Sequence, residues 1–246
     1  MLALKNAHPR DQDISFQETG HIYTIRGEKY YKSCTTWVKS FFEKFNADDI
    51  IEKMMSSEKW SANKYFGMSK QDIKTLWSEN GKKAAEFGTT MHKHIEEFYN
   101  GIDLPAEFPV ELSYFARFYH DHPELVPFRT EMMIYDEDIR ICGSVDMLFR
   151  NEDNTLSIYD WKFSKEIQTH SYGKKGLGPM SDLNDCNTTH YSLQLNLYRE
   201  ILEKKYGFVI RDMVLVFMHR DLFDSYVKYP VNRIDMAPFL QDRLTR

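Results

Sequence analysis

Cysteine is scarce in this 246-residue chain: Cys34, Cys142 and Cys186 are the three present, odd in number and far apart. A disulfide framework and secretion are therefore not expected. Three thiols also cannot complete a four-thiolate iron–sulfur cluster. Long apolar runs are missing too, since no uncharged stretch approaches the roughly 20 residues that cross a bilayer. The start, Met1-Leu2-Ala3-Leu4-Lys5-Asn6, has no apolar signal core. No Gly-x-x-x-x-Gly-Lys-Ser/Thr loop occurs, so no nucleotide cofactor is expected. Positive charge is not in excess: the formal net charge is −5, which argues against coating nucleic acid by bulk charge. These absences lead to the expectation of a soluble, intracellular, non-membrane protein.

What is present is ordinary for a globular chain, with 42% hydrophobic and 28% charged residues. Aromatics are rich at 15%, enough to fill a core and to stack on bases. Residues 14–31 read as a hairpin with a turn at Arg26-Gly27. Helices are expected over 35–45 after a Ser33 cap, over 47–56 and over 69–78. The helix over 81–99 has the apolar stripe Met91, Ile95, Phe98 and Tyr99, and Gly101 stops it. Another helix is expected over 111–120. Strands are expected over 128–136, 139–149 and 155–163. A polar, glycine-rich loop follows over 170–188, and the 163–176 stretch after the site is expected to be flexible. A helix over 189–205 ends at Gly207, and strands follow over 213–218 and 225–229. This order predicts an α/β protein of the α+β mixed-sheet kind, with helices on both faces of the sheet. The expected division is an N-terminal hairpin and helical lobe, 1–80, packed on a core of 81–246.

The chemistry concentrates around Asn151-Glu152-Asp153-Asn154, a polar turn between two strand-like runs. A hairpin centred on Asp153 places Asp146 opposite Asp160, with Cβ atoms roughly 5 Å apart. Two carboxylates that close repel unless a cation lies between them. Lys162 follows Asp160 by two residues and shares its face. Asp146 and Asp160 are thus candidate ligands of a divalent ion, with the backbone carbonyl of Trp161 beside them. Lys162 is the candidate for orienting a water or offsetting charge on a phosphate. An isolated Asp-x-Lys is more commonly a surface ion pair.

On the 81–99 helix, Gly88, His92 and Glu96 recur every four residues and share one face. His92 is a candidate imidazole ligand, which widens tolerance from magnesium towards manganese. Its alternative is a boundary histidine bonded to Glu96. Gln194 and Tyr198, also four apart, need polar partners on a leucine-rich helix. A phosphate, a base or Lys162 are the candidates, beside a purely local pairing. Glu131, on the strand before Asp146, is a candidate contact for a second metal or for Lys162. Lys165, Lys174 and Lys175 form a basic stretch that reads either as a phosphate-guiding lip or as a solvated loop. Asp185, Cys186 and His190 match no strong zinc template.

These motifs, in this order, resemble the PD-(D/E)XK nuclease superfamily, and within it the RecB-type and lambda-exonuclease-like branch. The matched residues are Gly88, His92 and Glu96, then Gly143 and Asp146, then Asp160 and Lys162, then Gln194 and Tyr198. Val145 stands where the superfamily has its name-giving proline. The match runs over about 81–219. Residues 1–80 and the 170–207 segment are similar to nuclease-like proteins of large DNA viruses. The resemblance implies a restriction-endonuclease-like core, a sheet of about four to five strands between helices. It implies hydrolysis of DNA phosphodiesters with one or two Mg2+ or Mn2+ ions held by His92, Asp146 and Asp160, with Lys162 assisting. Gln194 and Tyr198 would position the strand. An exonuclease acting on single-stranded DNA or DNA ends in replication, recombination or repair is expected, in the cytoplasm, nucleoid or a viral replication site. A helicase or annealing protein is an expected partner. The alternatives are an endonuclease for DNA or RNA with the same site, and a non-catalytic nucleic-acid-binding module.

Overall fold

The computed structural model describes residues 1–171, 173–221 and 224–244. The chain divides into two compact units, Met1–Glu43 with His92–Arg246, and Lys44–Met91. This differs from the expected cut after residue 80. The hairpin falls with the sheet-bearing unit because Ile14 and Ile25 bury their side chains with Tyr135 and Cys142.

In chain order the elements begin with helix α1 (Leu2–Lys5), strands β1 (Ile14–Gln17), β2 (Ile22–Ile25) and β3 (Lys32–Ser33), and helix α2 (Cys34–Lys39). Helices α3 (Ala47–Met55), α4 (Lys70–Tyr99) and α5 (Val110–Asp121) follow. Then come β4 (Val126–Asp136), β5 (Ile141–Arg150), β6 (Leu156–Lys162), α6 (Asn187–Tyr206), β7 (Ile210–Phe217), β8 (Val227–Pro230) and α7 (Ala237–Leu244). No helix among the described residues is long and apolar enough to cross a membrane.

Local chemistry sets several boundaries. Ser33 Oγ accepts the Thr36 amide at 3.1 Å and caps α2, as its position predicts. Gly207, at φ +67°, closes α6 in the left-handed conformation that glycine adopts without strain. Arg26 and Gly27 do turn the chain, both at positive φ, but only the Ile25–Glu28 bridge forms beyond them. The expected helices over 69–78 and 81–99 are one 30-residue helix, α4. No proline interrupts it, and Gly81 costs only about 1 kcal/mol in a helix interior, too little to break it. In the Lys44–Met91 unit, Ile51 and Ile73 are buried. There Asp48 pairs with both Lys70 and Lys74, which ties α3 to the first turns of α4.

The sheet has six strands rather than the expected four or five, because the two-residue β3 and the edge strand β8 both join it. β4 and β5 are antiparallel along their length, β5 and β6 are antiparallel, and β6 and β7 are parallel. A parallel pair needs a long crossover, and α6 supplies it. The sheet and α6 share the main core, which includes Leu148, Ile158, Leu197, Ile201 and Leu215. α6 comes so close to β5 that a Cβ on Gly143 would lie 2.7 Å from Tyr198 Cε1 and 3.2 Å from Cys34 Sγ.

The loop over 170–188 is stapled, and this includes Gly176 at the end of the 163–176 stretch where flexibility was expected; Tyr172 lies outside the described residues. Gly176 N donates to Leu183 O, Leu177 N donates to Phe41 O at 2.7 Å, and Met180 is fully buried. Its polar composition did not show that its backbone groups find partners, both within the loop and on Phe41.

Two outcomes are expected. Gly143→Ala overpacks the α6–β5 contact and should destabilise by about 1–3 kcal/mol, read in a urea titration; an unchanged midpoint would refute the close approach. At the β4–β5 turn, the Arg10 guanidinium holds the Glu137 carboxyl down at about 2. A folded-state pKa below the ordinary carboxylate value stabilises at neutral pH, and that stability is lost as pH falls through the folded value. The melting-temperature gap between wild type and Glu137→Gln should therefore be complete at pH 7 and close between about pH 4 and pH 2.

Candidate metal centre

β5 creates the site by what it leaves unpaired. One edge pairs with β4 from Ile141 to Arg150. The other edge is divided: β3 takes Ile141 and Cys142, and β6 takes Met147 to Arg150. Residues 143–146 lie between these two partners. The β5–β6 register (Met147↔Tyr159) is the one that would set Asp146 against Asp160, yet the ladder stops one step short. Asp146 Oδ2 instead accepts the Trp161 amide at 3.0 Å, so a side chain takes the donor. Asp146 thus bonds a backbone amide while Asp160 contacts Lys162, and, after burial, Asp160 is the charge that raises the Asp146 pKa most.

On the β4 side, the register steps from Thr130↔Met147 to Met132↔Val145 and leaves Glu131 and Asp146 unpaired. Glu131 sits at φ +43°, a left-handed conformation that a non-glycine residue adopts at a cost of about 1–3 kcal/mol. That kink turns its carboxylate into the opening. Ser144 Oγ donates to Glu131 Oε2 at 2.8 Å and holds it.

His92 of α4 completes the set. Its Nε2 donates to the Trp161 carbonyl at 3.1 Å, the sole role a ring nitrogen can take towards an oxygen acceptor. Nδ1 then faces Asp146 Oδ2 at 3.4 Å and Glu131 Oε1 at 3.5 Å. Ligand atoms of His92, Glu131 and Asp146 all lie within 4.8 Å of one another. Neighbouring ligands of a cation bound at about 2.1 Å are about 3 Å apart, so modest closure suffices. A histidine that donates its other N–H to a backbone carbonyl is also the usual orientation of a metal-binding imidazole. The donor set fits a divalent cation.

The electrostatics agree. Burial raises the Asp146 pKa, and the charges of Asp160 and Glu131 raise it further against His92 and Lys162. Burial works against a charged His92, but the Asp146 charge and the Glu131 hydrogen bond overcome it and lift the imidazole to about 9. Burial also raises Glu96, helped by Glu131 and Glu97. Carboxyls that resist ionising together mark a place where positive charge is stabilising.

The other expected residues fall as follows. Asp160 is 2% exposed and contacts the Lys162 ammonium, and its buried Oδ2 accepts no directed hydrogen bond. It is electrostatically coupled to Asp146 but outside the three-ligand cluster. The Trp161 carbonyl serves His92 as acceptor. Glu131 belongs with His92, not with Lys162. Gly88 lies one turn before His92, and a Cβ there would meet no atom of the described residues within 4 Å, so no close backbone contact within the chain accounts for it. Gln194 Nε2 donates to Tyr198 Oη and to Thr35 Oγ1, both at 2.8 Å, so the two α6 residues partner each other. Tyr198 is buried against Gly143 and braces the sheet. The basic stretch is partly consumed: Lys175 Nζ bonds Asn184 Oδ1 and Asp182 O, and Lys165 lies 3.5 Å from Asp221, while Lys174 is exposed. His190 pairs with Asp185 at 3.0 Å, and Cys186 turns to Thr188 and Thr189.

Sequence reasoning missed Ser144, Thr35 and Tyr191. Ser144 had a usable signal, alternating with Asp146 on one strand, but the need for a Glu131 partner was not visible. Tyr191 precedes Gln194 by three residues and so shares its helix face; its ring centroid lies 4.7 Å from Lys162 Nζ.

No family model matches the chain. No curated protein matches it either. A solved structure titled "Crystal structure of SSO0001" is similar at 13% identity, covering 89% of this chain and 76% of that one, with a TM-score of 0.35.

The site predicts cation binding. Manganese titrated calorimetrically into the protein should bind, and His92→Ala, Glu131→Gln and Asp146→Asn should each weaken it by roughly 10-fold or more. Ser144→Ala should follow in the same direction. Equal affinity in all four variants would show that the cluster holds no ion.

Proposed function

We propose that the chain is a metal-dependent phosphodiesterase that hydrolyses nucleic acid, with DNA as substrate. The observation that carries this reading is the cluster of His92, Glu131 and Asp146 at the splayed β5–β6 edge, with the Lys162 ammonium on the next strand. The mixed sheet with a parallel β6–α6–β7 crossover is compatible with a restriction-endonuclease-like core.

His92, Glu131 and Asp146 would hold the ion, with Asp160 as a further ligand once Lys162 moves off its Oδ2. Magnesium suits the carboxylates, and the imidazole extends the site to manganese. A divalent cation there would supply Lewis-acid polarisation of the phosphodiester. The chain's own residues do the rest. The Trp161 carbonyl fixes the His92 ring, and Ser144 fixes Glu131. Burial alone would lower the Lys162 pKa, but Asp160 and Asp146 raise it. Lys162 would serve as a positive hydrogen-bond donor to the phosphate.

Exonuclease action from ends, on single-stranded or resected DNA, is the form of this activity that the motif resemblance favours. With no phosphate-binding nucleotide loop in the chain, unwinding would fall to a helicase partner.

The test is a digestion of end-labelled linear and closed circular substrates, DNA and RNA, with magnesium, manganese or EDTA. Linear DNA should shorten from its ends with either metal and stay intact with EDTA. Lys162→Ala should lose about 100-fold or more of the turnover yet still bind manganese. Cutting of circles would convert the reading to an endonuclease. A wild type that cuts nothing under any of these conditions would refute hydrolysis outright.

A further inference from the structure

Lys162 has two anchors, and one of them is claimed by the metal chemistry. Its ammonium contacts the Asp160 carboxylate, a candidate ligand for the cation. A cation drawing on Asp160 competes directly with that contact. The second anchor is the face of the Tyr191 ring, 4.7 Å from Nζ to the ring centroid. The ring is itself fixed. Tyr191 packs on Phe217 at 6.4 Å between centroids, and Phe217 is the residue paired with Lys162 across β6–β7. Three and seven residues further along α6, Gln194 and Tyr198 bond each other, and Gln194 bonds Thr35, so this face of the helix is held in register. The negative face of an aromatic ring attracts an ammonium, and more strongly where water is excluded. Lys162 is such a case, with 15% of its side chain exposed.

We infer that Tyr191 is a positioning residue: its ring face keeps the Lys162 ammonium directed at the reacting phosphate when a cation occupies the Asp160 side of the site. The inference rests on the phosphodiesterase reading. It assigns the work to the ring, not to the hydroxyl.

The experiment measures kcat and KM for Tyr191→Phe and Tyr191→Met, each alone and combined with Lys162→Ala. Tyr191→Phe should keep wild-type turnover. Tyr191→Met should lower kcat by about tenfold, the value of a partly desolvated cation–π contact, with KM unchanged. In the Lys162→Ala background Tyr191→Met should have no further effect, which a merely structural role would not produce. In the cation-free protein, the Lys162 Hε protons should resonate upfield of free lysine through the ring current, in the wild type and in Tyr191→Phe. Loss of kcat in Tyr191→Phe, an undiminished kcat in Tyr191→Met, or an equal loss with and without Lys162 each overturns the role. Unshifted Hε protons in the wild type overturn it without any variant. A wild type that cuts no substrate takes down the hydrolytic reading and this role together, whereas a cutting wild type that ignores Tyr191→Met takes down this role alone.

Discussion

The hydrogen bond from the Trp161 amide to Asp146 Oδ2 is the constraint on which the site depends. A backbone donor in the middle of a sheet must be satisfied, and the ordinary solution is a neighbouring strand. Here β5 and β6 have separated by that point, and a side-chain carboxylate takes the place of a carbonyl. This single exchange does two things. It lets the sheet open without stranding an amide, and it pins one oxygen of Asp146 where His92 and Glu131 converge. The same residue, Trp161, gives its carbonyl to His92. One residue of β6 thereby orients both an acid and an imidazole, and its indole stays in the core against Phe115 and Phe118.

The opening is matched on the other side of β5. Glu131 is held in a left-handed backbone conformation inside a strand, and such strain persists where surrounding structure enforces it. The result is a group of carboxyls, two of which, Asp146 and Glu96, are pushed up in pKa by burial and by neighbouring carboxylates, Glu131 among them. His92 and Lys162 offset part of that repulsion. A cation would offset more of it, which links the electrostatic cost of the arrangement to the chemistry proposed for it.

The sequence patterns were good guides wherever a local rule governs. The Ser33 cap, the Gly207 stop and the turn at 151–154 are set by single residues whose backbone chemistry is nearly independent of context. The register of β5 on β6 was also legible, since counting outward from Asp153 gives the pairing that is observed at Met147 and Tyr159. His92, Asp146 and Lys162 stood out because their residue types, spaced along a helix and two strands, have few bland explanations in combination. The loop over 170–188 and the continuous helix α4 went the other way. Composition signals polarity and glycine content, and neither says whether backbone groups find partners.

By itself, then, the sequence indicated most of the elements and their order, though not the unbroken α4 or the short β3, and which ionisable residues cluster near the Asp153 turn. These follow from side-chain periodicity and from turn and cap chemistry within a few residues. Tertiary structure alone decided that Glu131 joins His92 and Asp146, that Tyr198 braces Gly143, and that Tyr191 lies beneath the ammonium. Each of those contacts depends on where strands part and how closely a helix approaches. Such distances are set by the packing of the whole core, and no local pattern encodes them.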